Sequence, residues 1–468
     1  MICKFKLQQF SSDFNECFCI YSMRMDHIKI TKSIFSPLSL IIVSALLVRL
    51  AIAVFFTPPL LQDEIEYVAI AQSLYHGNGF SVDGTPTAYR APAYPTFVAA
   101  VFTAFGESVV PVRIIQAFAD TLSCLFIFLI AKRFFSGTTP YIAASLYAIF
   151  PGNALYVSLL FSESIFTTLL LAIIFFYTKE SLRNSFSWKI MIGTLLAILT
   201  LLRQNAPILL FAFIVWEVIR FYSWKTMWRR NILIVLSSFL FLFPWIIRNK
   251  IQFDHFSLTS NGGINFWIGH NQSANGSYKY LTHNNPLERV SGEFERSALG
   301  YKEGMDFLLH HPTEEVKLLF LKFAHFFEPD FSLMQSLQYK PEWKMYQRNI
   351  LVYREFSPVI FFVLHFLTAM VVIAGLWSLI FAQDSKYQYL LLVRLIIVFW
   401  ICSHLIFFGV ARFRLPIMPF FIAMTAYSLE VWKAKSFSVT RSKMFLFIIL
   451  TLLLFASWTA IVILLYFQ

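Results

Sequence analysis

Apolar residues run in long blocks along this chain, and the polar residues gather in the short intervals between them. A helix that crosses a bilayer needs about 20 mainly apolar residues. Read at that length, the chain gives eleven spans, roughly 34–56, 112–131, 140–155, 160–178, 188–204, 206–222, 231–247, 356–381, 388–409, 413–432 and 444–466. The stretch 93–106 is apolar but too short to cross, and it reads as a helix lying at the membrane surface. The expected fold is an all-α polytopic membrane protein. No repeat relates the two halves, which weighs against transporter folds built on inverted repeats.

Two polar intervals are long enough to hold structure of their own, the loop 57–111 and the segment 248–355. The second opens with NGGINFWIGHNQSANG at Asn261 and continues with helix-like stretches near 290–310 and 313–327, so a mixed segment is expected there. The expected organisation is an N-terminal cytoplasmic segment 1–33, a transmembrane catalytic half 34–247, a large outside loop 248–355, and C-terminal transmembrane helices 356–468. Residues 1–33 are polar and lack the small-residue cleavage site of a signal peptide, and Met23 and Met25 stand as alternative starts.

Composition agrees with this pattern. The chain is 58% hydrophobic and 14% charged, where a soluble domain has about half and about a quarter. A soluble enzyme, a disordered chain and a single-anchor receptor are excluded. The net charge of +12 sharpens the orientation rather than pointing to nucleic acid. With the N-terminus placed in the cytoplasm, 19 of the 38 basic residues fall on inside segments, among them Lys132, Arg133, Lys179, Arg220, Arg229 and Lys433. The short outside connections hold only Arg90, Arg113, Arg203, Arg412 and Arg414. Cytoplasmic loops carry the Lys/Arg excess, so the chain reads as N-in and C-out. The five cysteines form no disulfide framework and no zinc spacing.

The outside edge collects the residues that could do chemistry. Asp63, Glu64 and Glu66 stand within four residues, with Tyr67 one helical turn after Asp63. A carboxylate there can act as general base, and equally it can open a surface helix, where acids are favoured. Arg90, in AYRAPAYP, reads as an anion contact or a snorkelling residue. Arg113, Gln116 and Asp120 share one helix face, with an Arg113–Asp120 packing pair as the plain reading. Glu163, Arg203, Arg412, Arg414 and His404 mark three further outside turns. Arginine forks suit phosphate oxygens, so the expected ligand is an anionic lipid head group. His270, His283, His310, His311 and His325 show no metal-ligand spacing. Phe320, Phe323 and Phe326 share a face that suits either the membrane or packing against the protein.

The order of these motifs resembles the GT-C membrane glycosyltransferases, in particular the family 39-like group of protein mannosyltransferases and aminoarabinose transferases. The matching pieces are DEIEY at 63–67, YRAPAYP at 89–95, the Arg113 helix, PGNALYVSLLFSE at 151–163, LLRQNAP at 201–207, NGGINFWIGHNQSANG at 261–276 and RFRLPIMP at 412–419. The resemblance implies transfer of a sugar from a polyprenyl-phosphate donor to a lipid, glycan or protein acceptor, with inversion by single displacement. It implies a cell inner membrane location with a periplasmic active site. It makes Asp63 the base, with Glu64 beside it, and gives the donor phosphate to Arg203, Arg412, Arg414 and Arg90. Tyr67, Arg113, Asp120, Glu163, Asn265 and His404 are supporting positions. Metal dependence varies across the superfamily, so a divalent metal stays open although no metal site is visible. The turn at 269–272 reads GHNQ where many relatives have a GNNP-like sequence. With no soluble domain expected after the last span, the resemblance is to a minimal member. A lipid-linked sugar transporter or flippase and a surface-polysaccharide polymerase are the alternatives.

Overall fold

The computed structural model describes residues 36–61, 63–179, 181, 185–221, 224–279, 285–328, 330, 333, 358–382, 389–433 and 439–466. The expected segment 1–33 with Met23 and Met25, together with His283 and the end of the 248–355 loop, lies outside the described residues.

Each expected span contains a helix, and 140–155 is broken in two. In chain order the elements open with α1 (Pro37–Phe55), α2 (Asp63–Tyr75), a hairpin of β1 (Ser81–Val82) and β2 (Thr85–Pro86), and α3 (Ala93–Phe105). Next come α4 (Val109–Phe134), α5 (Thr139–Ile149), α6 (Pro151–Leu155), α7 (Glu163–Tyr177), α8 (Phe186–Leu202), α9 (Ile208–Phe221) and α10 (Trp224–Phe253). The chain continues through α11 (Gly262–Gly269), α12 (Glu293–His310), α13 (Pro312–Phe327), α14 (Pro358–Phe381) and α15 (Leu390–Leu405). A 3-10 helix, Ala411–Ile417, leads into α16 (Met418–Lys433) and α17 (Arg441–Tyr466). Six helical stretches, one of them running unbroken through Ala411–Lys433, are long and apolar enough to cross a membrane. The chain is a polytopic, mainly helical membrane protein.

Prolines set several boundaries that apolar content alone does not reveal. The expected span 140–155 breaks after α5, because Pro151 has no N–H and disfavours helix at Phe150. Phe150 is extended, at φ −69° and ψ 113°, and a short helix and a 3-10 turn then carry the chain to Leu159. Pro416 likewise leaves the start of the expected span 413–432 as a 3-10 helix. Ser36 caps α1 by accepting from the Ser39 amide, ahead of Pro37 in the first turn.

The described part of 248–355 mixes turns, the 3-10 turn Pro286–Arg289 and the helices α11, α12 and α13. Among the described residues the strands are confined to the first loop, where Ser81 pairs with Pro86 and Val82 with Thr85. Asp83 (φ 50°) and Gly84 (φ 76°) make the turn, the two left-handed positions that a tight hairpin needs. The stretch 93–106 is the 13-residue helix α3, short as expected, with Tyr94, Val98 and Phe102 buried. On the expected face of α13, Phe326 is buried, Phe323 is half-buried against the core and Phe320 is half-buried. The Phe327 carbonyl accepts from the Trp458 indole of α17 at 2.9 Å.

Two glycines fix the approach to the 3-10 helix. A Cβ on Gly269 would lie 1.8 Å from the Phe407 carbonyl oxygen, and one on Gly409 would lie 1.9 Å from that of Lys322. The segment 407–410 is thus held between α11 and α13, which sets where Arg412 emerges.

Candidate active site at the loop end of the bundle

The first turn of α2 places Asp63, Glu64 and Glu66 at a helix N-terminus, where the dipole favours negative charge. Three outcomes follow from one turn of sequence. Asp63 and Glu66 face the turn before α3, and both meet Arg90. Arg90 Nη2 donates to Asp63 Oδ1 at 2.8 Å and Nε to Glu66 Oε2 at 2.5 Å. The other oxygen of Asp63 accepts from Arg412 Nη2. Glu64 points elsewhere.

The chain of alternating charge extends past Arg412. Its Nε lies 3.7 Å from Glu163 Oε1, and Arg203 Nη2 donates to the same oxygen at 2.5 Å. Arg203 ends α8 in an extended conformation, four residues before Pro207, and its Nε also reaches Ser162 Oγ at 3.3 Å. Asp63, Glu66, Glu163, Arg90, Arg203 and Arg412 form one connected cluster. Five segments distant in sequence converge here. The ring of Phe413 lies 5.1 Å from the Arg203 guanidinium and 5.5 Å from that of Arg412, while Phe161 covers Arg412 at 4.6 Å. Arg412 Nε and Nη1 are buried and hydrogen-bond to nothing among the described residues.

Burial alone would raise the Asp63 carboxyl, but Arg412 and Arg90 overcome it and hold it well below the usual carboxylate range. Asp63 therefore stays ionised. Tyr67 is pushed up to about 12 by burial and by the Asp63 charge, so it stays a protonated phenol. Its ring packs edge-on to Tyr94 at 5.0 Å and lies 5.6 Å from the Arg90 guanidinium.

Several expected site residues lie apart from this cluster. Glu64, expected beside the base, is fully buried and accepts from two backbone amides, Leu160 at 2.6 Å and Leu61 at 2.9 Å. It ties the loop before α2 to the loop before α7. Burial raises its carboxyl to about 7 against those two donors. Arg414, expected on phosphate, instead donates to the carbonyls of Phe326 (3.2 Å) and Glu328 (2.5 Å) at the end of α13. A 3-10 helix has three residues per turn, so side chains two apart diverge, and Arg412 and Arg414 do. Arg414 borders a small cavity shared with Asp330, Leu333 and His365. Arg90 has its fork occupied by Asp63 and Glu66, which makes it a holder of the carboxylates.

The Arg113–Asp120 pair is absent. Arg113 Nη2 donates to the Pro58 carbonyl at 2.9 Å. Asp120 pairs with Arg49 at 2.5 Å and accepts from Tyr147 at 2.6 Å, inside the bundle. Gln116 takes the Tyr94 hydroxyl at 2.7 Å and donates to the carbonyls of Val157 and Leu159. His404 bonds the Trp400 carbonyl and the Asn205 amide, beside the cluster rather than in it. Asn265 is half-buried on α11.

Sequence reasoning assigned no role to Glu66, to the two phenylalanines at Arg412, or to a buried group on the long loop. In that group Lys322 Nζ lies 3.1 Å from His270 Nε2, and His270 Nδ1 2.8 Å from Glu315. Burial lowers Lys322 to about 8. His270 is one of two residues, with Gln272, that depart from the GNNP-like turn, and its ring also reaches the Ile406 carbonyl at 2.8 Å. Among the described residues no three His, Cys, Asp or Glu side chains are grouped to hold a metal.

Residues 89–247 match the family model for dolichyl-phosphate-mannose-protein mannosyltransferase. No curated protein sequence matches the chain. Among solved structures, ArnT from Cupriavidus metallidurans bound to undecaprenyl phosphate is 11% identical, with 84% of this chain and 78% of that one covered and a TM-score of 0.42. The Archaeoglobus fulgidus oligosaccharyltransferase tethered to an acceptor peptide is 12% identical, with 90% of this chain and 54% of that one covered and a TM-score of 0.45. The matched stretch 89–247 carries Arg90, Arg113, Glu163 and Arg203, and over that third of its length the chain is similar to the dolichyl-phosphate-mannose-protein mannosyltransferase family.

Proposed function

We propose that this protein transfers a sugar from a polyprenyl-phosphate donor to a lipid, glycan or protein acceptor. The reaction takes place at the extracytoplasmic face of the bacterial inner membrane, with the N-terminus in the cytoplasm. The observation that carries the reading is Arg412, which ion-pairs Asp63 on one side while its buried Nε and Nη1 have no hydrogen-bond partner among the described residues. Buried polar groups are nearly always satisfied, so two free donors on a guanidinium fit an incoming phosphate.

In this reading the donor phosphate lies on Arg412 and Arg203, with its lipid tail among the spans. The acceptor attacks the anomeric carbon from the opposite side, in one displacement with inversion. The bond to the phosphate oxygen breaks, and the phosphate leaves as an anion held by the arginines. A stabilised anion needs no strong general acid, unlike the pair of carboxylates in most glycosidases. Asp63 takes the acceptor proton. Held by two arginines, it is a weak base in the empty site. When the phosphate engages Arg412, Asp63 loses part of its counter-charge and its basicity rises. Proton uptake is thereby linked to donor binding.

The test offers membrane vesicles labelled polyprenyl-phosphate sugars and, separately, labelled diphosphate-linked oligosaccharides. Label moving to an acceptor from the monophosphate donors alone is expected. Movement of the intact labelled lipid across the bilayer, or transfer from the diphosphate donors alone, would overturn the proposal.

A further inference from the structure

One carboxylate oxygen in the cluster serves two guanidinium groups. Glu163 Oε1 lies 2.5 Å from Arg203 Nη2 and 3.7 Å from Arg412 Nε. The first contact is a charge-assisted hydrogen bond, and the second is too long to be one. The side chain of Glu163 is 2% exposed, so it cannot turn out to water without moving α7. Arg412 is left with Nε and Nη1 buried and without hydrogen-bond partners among the described residues, between the rings of Phe161 and Phe413.

Charge counting adds a second constraint. Asp63, Glu66 and Glu163 balance Arg90, Arg203 and Arg412. The cluster is neutral before any ligand arrives. A sugar linked through a lipid phosphate is a phosphodiester with one negative charge. The lipid phosphate left after transfer is a monoester, carrying about −1.5 to −2 at neutral pH. The same arginines therefore grip the product more strongly than the donor, and turnover needs something to loosen that grip. Asp63 is bracketed by two arginines, and Glu66 touches only Arg90. Glu163 alone among the three acids faces both Arg203 and Arg412.

Resting on the reading that these two arginines bind the donor phosphate, we propose that Glu163 is the internal counter-anion of the phosphate site, whose charge weakens the hold on the phosphomonoester product and drives its release. The short contact to Arg203 and the long one to Arg412 fix the geometry. The phosphate takes Nε and Nη1 of Arg412, and Glu163 stays on Arg203, close enough to repel the second negative charge of the product.

The test measures binding of polyprenyl phosphate to the full-length protein in detergent or nanodiscs, with single- and multiple-turnover transfer alongside. Glu163→Gln is expected to bind polyprenyl phosphate about tenfold more tightly, a change of about 1.4 kcal/mol. It is also expected to keep its first turnover while later turnovers slow, giving a burst. Glu163→Asp keeps the charge but withdraws it by one methylene, and an intermediate gain in affinity is expected. It serves as the test if the Gln variant does not fold. A merely structural Glu163 would give weaker binding and no burst. Equal or weaker binding in the folded variants, with binding lost in Arg412→Met, overturns the role of Glu163 alone. Unchanged binding in Arg412→Met overturns the phosphate reading and this proposal with it.

Discussion

Arg49 with Asp120 and Arg412 with Asp63 are both acid–arginine pairs in an apolar bundle, and they are built in opposite ways. The Arg49–Asp120 pair joins α1 to α4 and is closed to solvent, with exposures of 0% and 1%. Arg49 also donates to the carbonyls of Ala45, Tyr147 and Ala148, and Tyr147 supplies a further donor to Asp120. The carbonyls of Tyr147 and Ala148 lie in the last turn of α5, where Pro151 has no N–H to offer and the Phe150 amide reaches the Tyr147 carbonyl at 3.3 Å. Arg49 thus caps the break that Pro151 makes. The Arg412–Asp63 pair has exposures of 12% and 20%, and among the described residues two buried donors of Arg412 have no hydrogen-bond partner. A satisfied buried pair holds a structure together. A pair with donors to spare is poised for a ligand.

The largest expected effect separates the two at once. Arg412→Met should lower sugar transfer by roughly 10²–10³-fold, the usual cost of removing one donor that stabilises developing charge. The thermal unfolding midpoint in detergent should move little. Arg49→Met should do the reverse, costing about 3–5 kcal/mol of stability because Asp120 is left buried and unpaired, while transfer per folded molecule persists. If Arg49→Met instead abolished transfer in a well-folded protein, the contrast between clamp and site would fail.

Arg414→Met comes next, and it sharpens the comparison inside the RFR motif. Arg414 caps the end of α13 through the carbonyls of Phe326 and Glu328. Transfer should fall less than tenfold, set against the far larger loss at Arg412 (roughly 10²–10³-fold), with a lowered unfolding midpoint as the main result. Equal losses of transfer at both arginines would return Arg414 to the phosphate.

The smallest effect concerns Glu64. Its carboxyl is raised from 4.5 to about 7, so between those values the folded chain holds a proton that the unfolded chain has lost. Stability contributed by this group is complete below about 4.5 and is lost as pH rises through about 7. Glu64→Gln should flatten the fall in unfolding midpoint across that range. An unchanged slope would show that another group sets it.

Much of this architecture was legible in the sequence because apolar length and proline position are local properties. Each expected span holds a helix, with 140–155 broken at Pro151, and the turns bearing Asp63, Arg90, Glu163, Arg203 and Arg412 meet. Pairing was not legible. Arg49 and Asp120 are separated by 71 positions, and Arg113 and Asp120 share a helix face yet point to different partners. Direction was not legible either: Glu64 stands next to Asp63 and turns to backbone amides, and Arg414 stands two residues from Arg412 and caps a helix. Those outcomes depend on where α13, the 150–162 segment and the 3-10 helix come to rest, which tertiary packing decides. Glu66 was visible as one of three neighbouring acids, and only its meeting with Arg90 separates it from Glu64.

The account's central claim is that Asp63 is the base of a transfer reaction powered by a phosphate leaving group. The most direct measurement compares wild type with Asp63→Asn in membrane vesicles given a labelled polyprenyl-phosphate sugar, after both proteins are shown to unfold at similar temperatures. Loss of transfer by roughly 10²–10⁴-fold, with polyprenyl phosphate still bound, is the predicted result. Undiminished transfer by a folded Asp63→Asn protein would contradict it.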